Sequence, residues 1–188
     1  MDARKSEVSN HRLLIYAQCQ LSNYIGNTEA ALAACGQALR ILPWSARVNK
    51  EIGTAYMSIG QLERALESFG KAESLDHRHS VRAIWETKAG IAALLLERNT
   101  EAITWFERAA AINRSDPWIL GLSAVAFNRL GLNNRALVQI STLKSLSPEK
   151  STEAAVTHIS DLIVFRDKSI NASLQSILNE FEELYRAK

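Results

Sequence analysis

Four alanines recur along the chain at a nearly constant interval. Ala31, Ala65, Ala102 and Ala136 each lie in a similar short segment, and their successive separations, by subtraction, are 34, 37 and 34 residues. Other positions keep this spacing: a glycine often precedes the alanine by five residues, and an apolar residue follows it by four (Gly26, Gly60, Gly131; Cys35, Phe69, Phe106, Ile140). A period near 34 residues is typical of stacked helical hairpins. The sequence therefore predicts four consecutive helix pairs.

The composition agrees with a helical fold. Only 8 of the 188 residues are glycine and 3 are proline, whereas 47% are hydrophobic. So few turn-forming residues argue against a β-sandwich or barrel, and the apolar share is sufficient for a core. The net charge of +2 gives no strong field that would attract nucleic acid or an anionic membrane. We therefore predict an all-α protein with no nucleic-acid partner and no membrane partner.

Each predicted pair has two amphipathic halves, of which the second pair is the clearest example. Its first half places apolar residues three and four apart, and its second half does the same after Gly60 (Val48, Ile52, Ala55, Tyr56, Ile59; Leu62, Ala65, Leu66, Phe69, Ala72, Leu75). This spacing puts one apolar stripe on each helix. A single hairpin leaves part of these stripes uncovered, so neighbouring pairs are expected to stack.

The second pair resembles the tetratricopeptide repeat (TPR) family. Its residues Ile52-Gly53, Ala55-Tyr56, Gly60, Ala65, Phe69 and Ala72 are similar to the family pattern L-G…Y…G…A…F…A. The third pair keeps most of the pattern but has Glu97 in place of the turn glycine, and the first has Cys19 and Ser22 in place of a glycine and an aromatic residue. The resemblance implies a right-handed superhelical array of antiparallel helix pairs, a TPR-like solenoid. We expect a polar N-terminal tail at 1–10 and then, within 11–148, repeats at about 12–44, 45–78, 82–115 and 116–148.

Residues 149–188 lack the family pattern, yet they keep its helical spacing. A helix is expected after Pro148, and a second one carries a single apolar stripe (Ile170, Leu174, Ile177, Leu178, Phe181, Leu184, Tyr185). We interpret this segment as a degenerate fifth helical hairpin that acts as the C-terminal cap. The alternative is that the last helix folds back into the groove as an autoinhibitor. A short turn near Arg166 favours the cap, because short connections join antiparallel neighbours.

In the TPR family the first helix of each pair lines a concave groove, and the resemblance implies that eleven side chains line it here. They are Arg47, Lys50 and Thr54 in the second pair, Ile84, Lys88 and Ile91 in the third, and Trp118, Leu122, Val125, Asn128 and Arg129 in the fourth. The apolar members would anchor a peptide, so Leu122→Asp is expected to abolish binding and spare the fold. Trp118 can lie either in the groove or in the core.

The sequence contains no motif that indicates catalysis or a cofactor. It has no phosphate-binding glycine loop, nucleophile elbow or zinc-protease motif, so we predict no enzyme activity, no catalytic residue, no cofactor and no metal. His77 and His79 form an isolated pair that is more typical of a solvated connector than of a metal site. Cys19 and Cys35 are expected to pack as small reduced hydrophobes, with redox sensing as the alternative.

These observations lead to two functional hypotheses. The first is a non-catalytic, cytoplasmic scaffold that binds a protein or peptide in its groove, with weak self-association left open. The second is the C-terminal regulatory part of a larger bacterial signalling protein, such as an adenylate cyclase or a winged-helix transcription regulator. In either case the partner is a protein, and its identity lies outside the sequence.

Overall fold

The computed structural model describes residues 3–76, 82–146 and 168–187, and within these ranges it contains nine α-helices and no strand. The helices are α1 (Ala3–Tyr24), α2 (Thr28–Ile41), α3 (Ala46–Ser58), α4 (Leu62–Leu75), α5 (Arg82–Leu95), α6 (Asn99–Ile112), α7 (Pro117–Arg129), α8 (Asn133–Leu146) and α9 (Lys168–Arg186). The helices α1 to α8 pack as sequential antiparallel pairs. The predicted all-α repeat fold is therefore confirmed.

The chain divides into two compact units, residues 1–79 and 80–188. In the first unit α1 pairs with α2 and α3 with α4, and α2 also packs on α3. In the second unit α5 pairs with α6 and α7 with α8, and α6 also packs on α7. Each unit thus has its own two stacked pairs, and α9 belongs to the second unit.

The helix boundaries follow from local chemistry. Asn27, Ser45 and Asp116 each cap a helix, because their side-chain oxygens accept a hydrogen bond from a backbone amide of the first turn. Pro117 follows Asp116 as the first residue of α7, where its missing amide hydrogen costs nothing. The fourth repeat, expected at about 116–148, thus begins at this capping residue.

Two sequence expectations meet a different outcome or remain open. The helix α1 begins at Ala3, so the residues expected as a polar tail at 1–10 are largely helical. They contain no glycine or proline, so nothing in their backbone ends the helix. The predicted first helix of the fifth hairpin and the His77/His79 connector lie outside the described residues.

The two helices of a pair approach most closely where a small residue faces a large one. A Cβ atom at Gly53 would lie 2.7 Å from the Phe69 ring, and Gly90 meets Phe106 in the same way. Both glycines precede their phenylalanine by 16 residues, and Cys19 precedes Cys35 by the same 16 residues. The first pair therefore places its cysteines at the two positions where the second and third pairs have glycine and phenylalanine.

Cys19 and Cys35 form a disulfide between α1 and α2, with their Cα atoms 4.8 Å apart. Both side chains are fully buried and belong to a core cluster with Ala38, Val48 and Ile52. The expectation of two reduced thiols is therefore wrong. Disulfides persist mainly in oxidising compartments, so the predicted cytoplasmic location loses the support that it drew from reduced cysteines.

Candidate protein-interaction surface

The first helices of the third and fourth pairs, α5 and α7, carry most of the residues that the sequence assigns to the groove. The two helices contact each other, and α9 lies against both of them and against α8. Its most extensive contact is with α7. We call the surface that α5 and α7 present to α9 the α5/α7 face.

Helix α7 is covered on every side. All nine consecutive residues from Ile119 to Phe127 are buried. Because an α-helix completes a turn every 3.6 residues, an unbroken buried run of this length includes side chains that point in all directions. The helices that pack on α7 are α5, α6, α8 and α9, so α9 supplies part of this cover.

A glycine in α7 makes room for an aromatic ring of α9. A Cβ atom at Gly121 would lie 2.9 Å from the Phe181 ring, so a larger residue there would force the ring away. Phe181 is 3% exposed. Gly121 lies three residues before Ala124, which follows the repeat spacing of Gly53 and Gly90, so the two small residues are neighbours on the helix surface. The three heavy atoms nearest to an added Cβ at Gly121 all belong to the Phe181 ring, so this notch accommodates α9.

An ion pair lies beside this apolar contact. Arg129 at the end of α7 binds the carboxylate of Glu180 through two hydrogen bonds, from Nε at 2.9 Å and from Nη2 at 2.6 Å. Its Nη1 also donates to the carbonyl oxygen of Leu94 in the last turn of α5, at 3.2 Å. The hydrogen bonds with Glu180 raise the pKa of Arg129, although its partial burial opposes this. Arg129 thus links α7, α5 and α9.

The buried side of α9 is a continuous apolar stripe. Leu174, Ile177, Leu178 and Phe181 are all at most 4% exposed. At the far end of α9, the ammonium group of Lys144 in α8 lies 5.2 Å from the centre of the Tyr185 ring, and it donates to the carbonyl oxygen of Ala187 at 3.3 Å. The helix is therefore held by apolar packing along its middle and by cations toward its C-terminal end.

The structure places the predicted apolar anchors of the second unit inside the protein. Ile91, Leu122 and Val125 are 2%, 1% and 0% exposed. These three side chains were expected to be exposed in an open groove, but in this structure they are buried. Ile84 is 52% exposed, and Lys88, Trp118 and Asn128 are partly exposed. Trp118, at the start of α7, is thus neither fully exposed in a groove nor fully buried in the core.

The predicted groove residues of the first unit belong to a polar network. Lys50 lies 3.1 Å from the carboxylate of Glu51, which also accepts a hydrogen bond from Asn23 at 2.9 Å. Thr54 donates to the carbonyl oxygen of Lys50, and Arg47 is exposed. Burial and the nearby charge of Glu51 raise the pKa of Tyr16, while the charge of Arg47 lowers it. The charge of Lys50 is therefore partly neutralised by Glu51.

The groove residues predicted from the sequence do not include Gly121, Glu180 or Phe181. One signal was present, because Gly121 is a helical glycine that the repeat pattern does not require. This signal does not by itself identify a contact, because Gly36 and Gly70 are also helical glycines outside the pattern and an added Cβ at either meets no atom within 4 Å. The charge of Glu180 gave no comparable signal, since acidic residues are common on exposed helix faces.

Within the parts of the chain that the structure describes, no three His, Cys, Asp or Glu side chains come together as metal ligands do. The helices in the same parts include none that is long and apolar enough to cross a membrane. The site therefore consists of apolar packing, a notch and a paired arginine, which are the features of a protein-binding surface.

Stacked helix pairs with such a surface define a helical-repeat protein of the interaction-scaffold class. A family model described as tetratricopeptide repeat matches residues 3–144, and the chain belongs to this family. A search of curated proteins finds no match.

Three solved structures illustrate the likeness of fold. YrrB, described as a TPR protein with an unusual peptide-binding site, is 17% identical with a TM-score of 0.68, over 98% of this chain and 92% of YrrB. MamA from Desulfovibrio magneticus RS-1 is 17% identical with a TM-score of 0.68, over 92% of each chain. PilW, a type IV pilus biogenesis factor, is 21% identical with a TM-score of 0.65, over 97% of this chain and 79% of PilW. At these identities the likeness concerns the fold.

Proposed function

We propose that the chain is a non-catalytic scaffold that binds a peptide or helix of a partner protein on the α5/α7 face. The observation that carries the proposal is α9 itself, an amphipathic helix that this face holds through Gly121 and Arg129. A surface that accepts one such helix has the shape and charge to accept another. Recognition of an amphipathic helix by a groove is a recurrent mode of protein binding.

Two further observations support a protein partner. The family to which the chain belongs consists of helical repeats, whose extended surfaces are used for protein binding. YrrB, whose fold is similar, is described as having a peptide-binding site. The site also lacks a convergent set of acid, base and nucleophile among its residues, so binding is the chemistry that it supports best.

Site-specific photo-crosslinking tests the proposal directly. A photoreactive phenylalanine analogue replaces Ile84 on α5, which the family resemblance assigns to the groove, and the matched control carries it at Leu137 on α8, because both side chains are 52% exposed. In cells of the source organism we expect a discrete crosslinked protein from position 84 and none from position 137. Equal crosslinking from both positions, or none from either, would contradict a partner on the α5/α7 face.

A further inference from the structure

The helix α9 is not a continuation of the repeats. The family match ends at residue 144, before α9 begins at Lys168. Leu137 and Val138 of α8 are 52% and 61% exposed, so α9 leaves these two side chains uncovered. Instead, α9 packs mainly on α7, which pairs with α8. The described contacts of α9 therefore lie mainly on the first helix of the last pair.

We propose that α9 is a resident ligand of the α5/α7 face, and that the partner is an amphipathic helix with the same pattern that displaces it. This inference rests on the proposed function and specifies its partner and its regulation. The pattern is an apolar stripe with the spacing of Leu174, Leu178 and Phe181, with an acidic residue directly before the aromatic one.

The acidic and aromatic residues give the partner helix a defined register. Phe181 fits against Gly121, and the preceding Glu180 binds Arg129, which is eight residues further along α7. Eight residues of helix correspond to about 12 Å. Two neighbouring residues of the bound helix therefore engage two separate points on α7, which fixes both its position and its direction. A helix with a basic residue in place of Glu180 would place two cations together and would be rejected.

The contacts of α9 are also suited to exchange. Only one side of α9 is buried, and its opposite side carries exposed polar residues such as Gln175, Asn179 and Glu183. The ion pair is partly open to solvent, since the side chains of Arg129 and Glu180 are 21% and 32% exposed. Because α9 is part of the same chain, it competes with any partner as an intramolecular ligand and lowers the apparent affinity of that partner.

The test uses the full chain and a fluorescent synthetic peptide of residues 168–188 as the probe. Wild-type protein is expected to bind the probe weakly, because its own α9 competes. The variant Phe181→Ala loosens the resident helix and is expected to bind the probe at least tenfold more tightly. Glu183→Gln, an exposed change on the same helix, is the matched control and should behave as wild type.

Three outcomes of this experiment decide the proposal. A probe that itself carries Phe181→Ala should lose binding to the Phe181→Ala protein, as should a protein that combines Phe181→Ala with Gly121→Leu. If the Phe181→Ala protein has a wild-type circular-dichroism spectrum and binds the probe no better than wild type, α9 is a fixed part of the fold and the proposal is overturned. Equal binding of the two probes would also overturn it.

Hydrogen exchange of the wild-type protein provides a measurement that needs no variant. A resident ligand that detaches should exchange its amides in α9 clearly faster than those in α7, whereas equal rates would overturn the proposal. The crosslinking experiment at position 84 remains separate. If a partner is captured at position 84 although α9 never detaches, the scaffold function stands and the proposed displacement of α9 is overturned. Probe binding without any captured partner would instead indicate exchange of α9 between copies of this chain, which contradicts a separate partner.

Discussion

Glu97 occupies the position at which the other turns between paired helices have glycine. Its φ angle is 59°, and Gly26, Gly60 and Gly131 have φ angles of 72°, 75° and 72°. A residue with a side chain is strained in this left-handed region by about 1–2 kcal/mol. The turn between α5 and α6 therefore stores strain that the other three turns avoid.

Replacement of Glu97 by glycine should relieve this strain. We expect Glu97→Gly to raise the free energy of unfolding by about 1 kcal/mol, as measured by urea denaturation. Glu97→Ala is the control, since it removes the carboxylate and keeps the strained backbone, and it should give no such gain. If both variants raise the free energy of unfolding equally, the gain comes from removing the charge and not from relieving backbone strain.

Two glycines of the second helix pair should respond to alanine with opposite signs. Gly70 in α4 has no heavy atom within 4 Å of an added Cβ, so Gly70→Ala should stabilise by up to about 1 kcal/mol through helix propensity. Gly53 in α3 lies against Phe69, so Gly53→Ala should destabilise by about 1–3 kcal/mol through overpacking. Thermal melts of the two variants measure both effects, and a stabilised Gly53→Ala protein would contradict the packing described here.

Individual residues also show what the sequence could reveal. Cys19 and Cys35 lie at repeat positions whose counterparts, Gly53 and Phe69, touch in the second pair. The repeat spacing relates the two cysteines to these positions, but only the structure shows that the positions face each other, so the spacing alone does not predict the disulfide. The contact between Gly121 and Phe181 was beyond the sequence, because it joins segments that no repeat relates.

At the scale of helices, the disulfide ties α1 to α2 across a separation of 16 residues. Constraining an unfolded loop of this size stabilises the folded state by about 3 kcal/mol in the chain-entropy model.

Reduction should therefore lower the stability of the first unit. We expect dithiothreitol to lower the free energy of unfolding of this unit by about 2–4 kcal/mol. Hydrogen exchange of the amides in α1 and α2 measures this change. The double variant Cys19→Gly and Cys35→Phe copies the second pair, and it should be insensitive to dithiothreitol. If the reductant destabilises that variant as well, its action does not go through this disulfide.

Helix α7 changes the expected result for Leu122. The sequence alone places this side chain in an open groove, where an aspartate would be tolerated. In the structure Leu122 is 1% exposed in a helix covered on every side. An unpaired charge at such a position is strongly unfavourable.

Leu122→Asp should therefore damage the fold as well as any binding. We expect a loss of several kcal/mol, seen as a large fall in melting temperature by circular dichroism. Ile84→Asp on α5 is the control, because its side chain is 52% exposed and its fold should be retained. A Leu122→Asp protein that melts as wild type would show that the α5/α7 face is open in solution.

For the molecule as a whole, the sequence predicts the helix pairs, most turns and the family, because these depend on local spacing that repeats. It also predicts that α9 has one buried side, since Leu174, Leu178 and Phe181 form a stripe. An apolar stripe does not specify the surface that covers it. The position of α9 on α7 depends on the notch at Gly121 and on the direction of Arg129, which exist only after the second unit has folded.

Removal of residues 169–188 should affect the entire second unit. The deletion uncovers apolar residues of α7, including those around Gly121, so we expect a lower melting temperature and concentration-dependent association in sedimentation velocity. Addition of the synthetic peptide 168–188 should reverse the association. Association that the peptide leaves unchanged would mean that the exposed surface is not the one that α9 covers.

The close contact between paired helices also has an evolutionary consequence. The first pair reaches it with Cys19 and Cys35, and the second with Gly53 and Phe69. A change from the second solution to the first requires two substitutions, and their order matters. If the glycine is replaced first, the new cysteine has its Cβ atom only 2.7 Å from the phenylalanine ring. If the phenylalanine is replaced first, the smaller cysteine leaves a void beside the glycine. Because a void is compatible with an intact backbone, the route in which the aromatic residue is replaced first is the more accessible one to an evolving repeat.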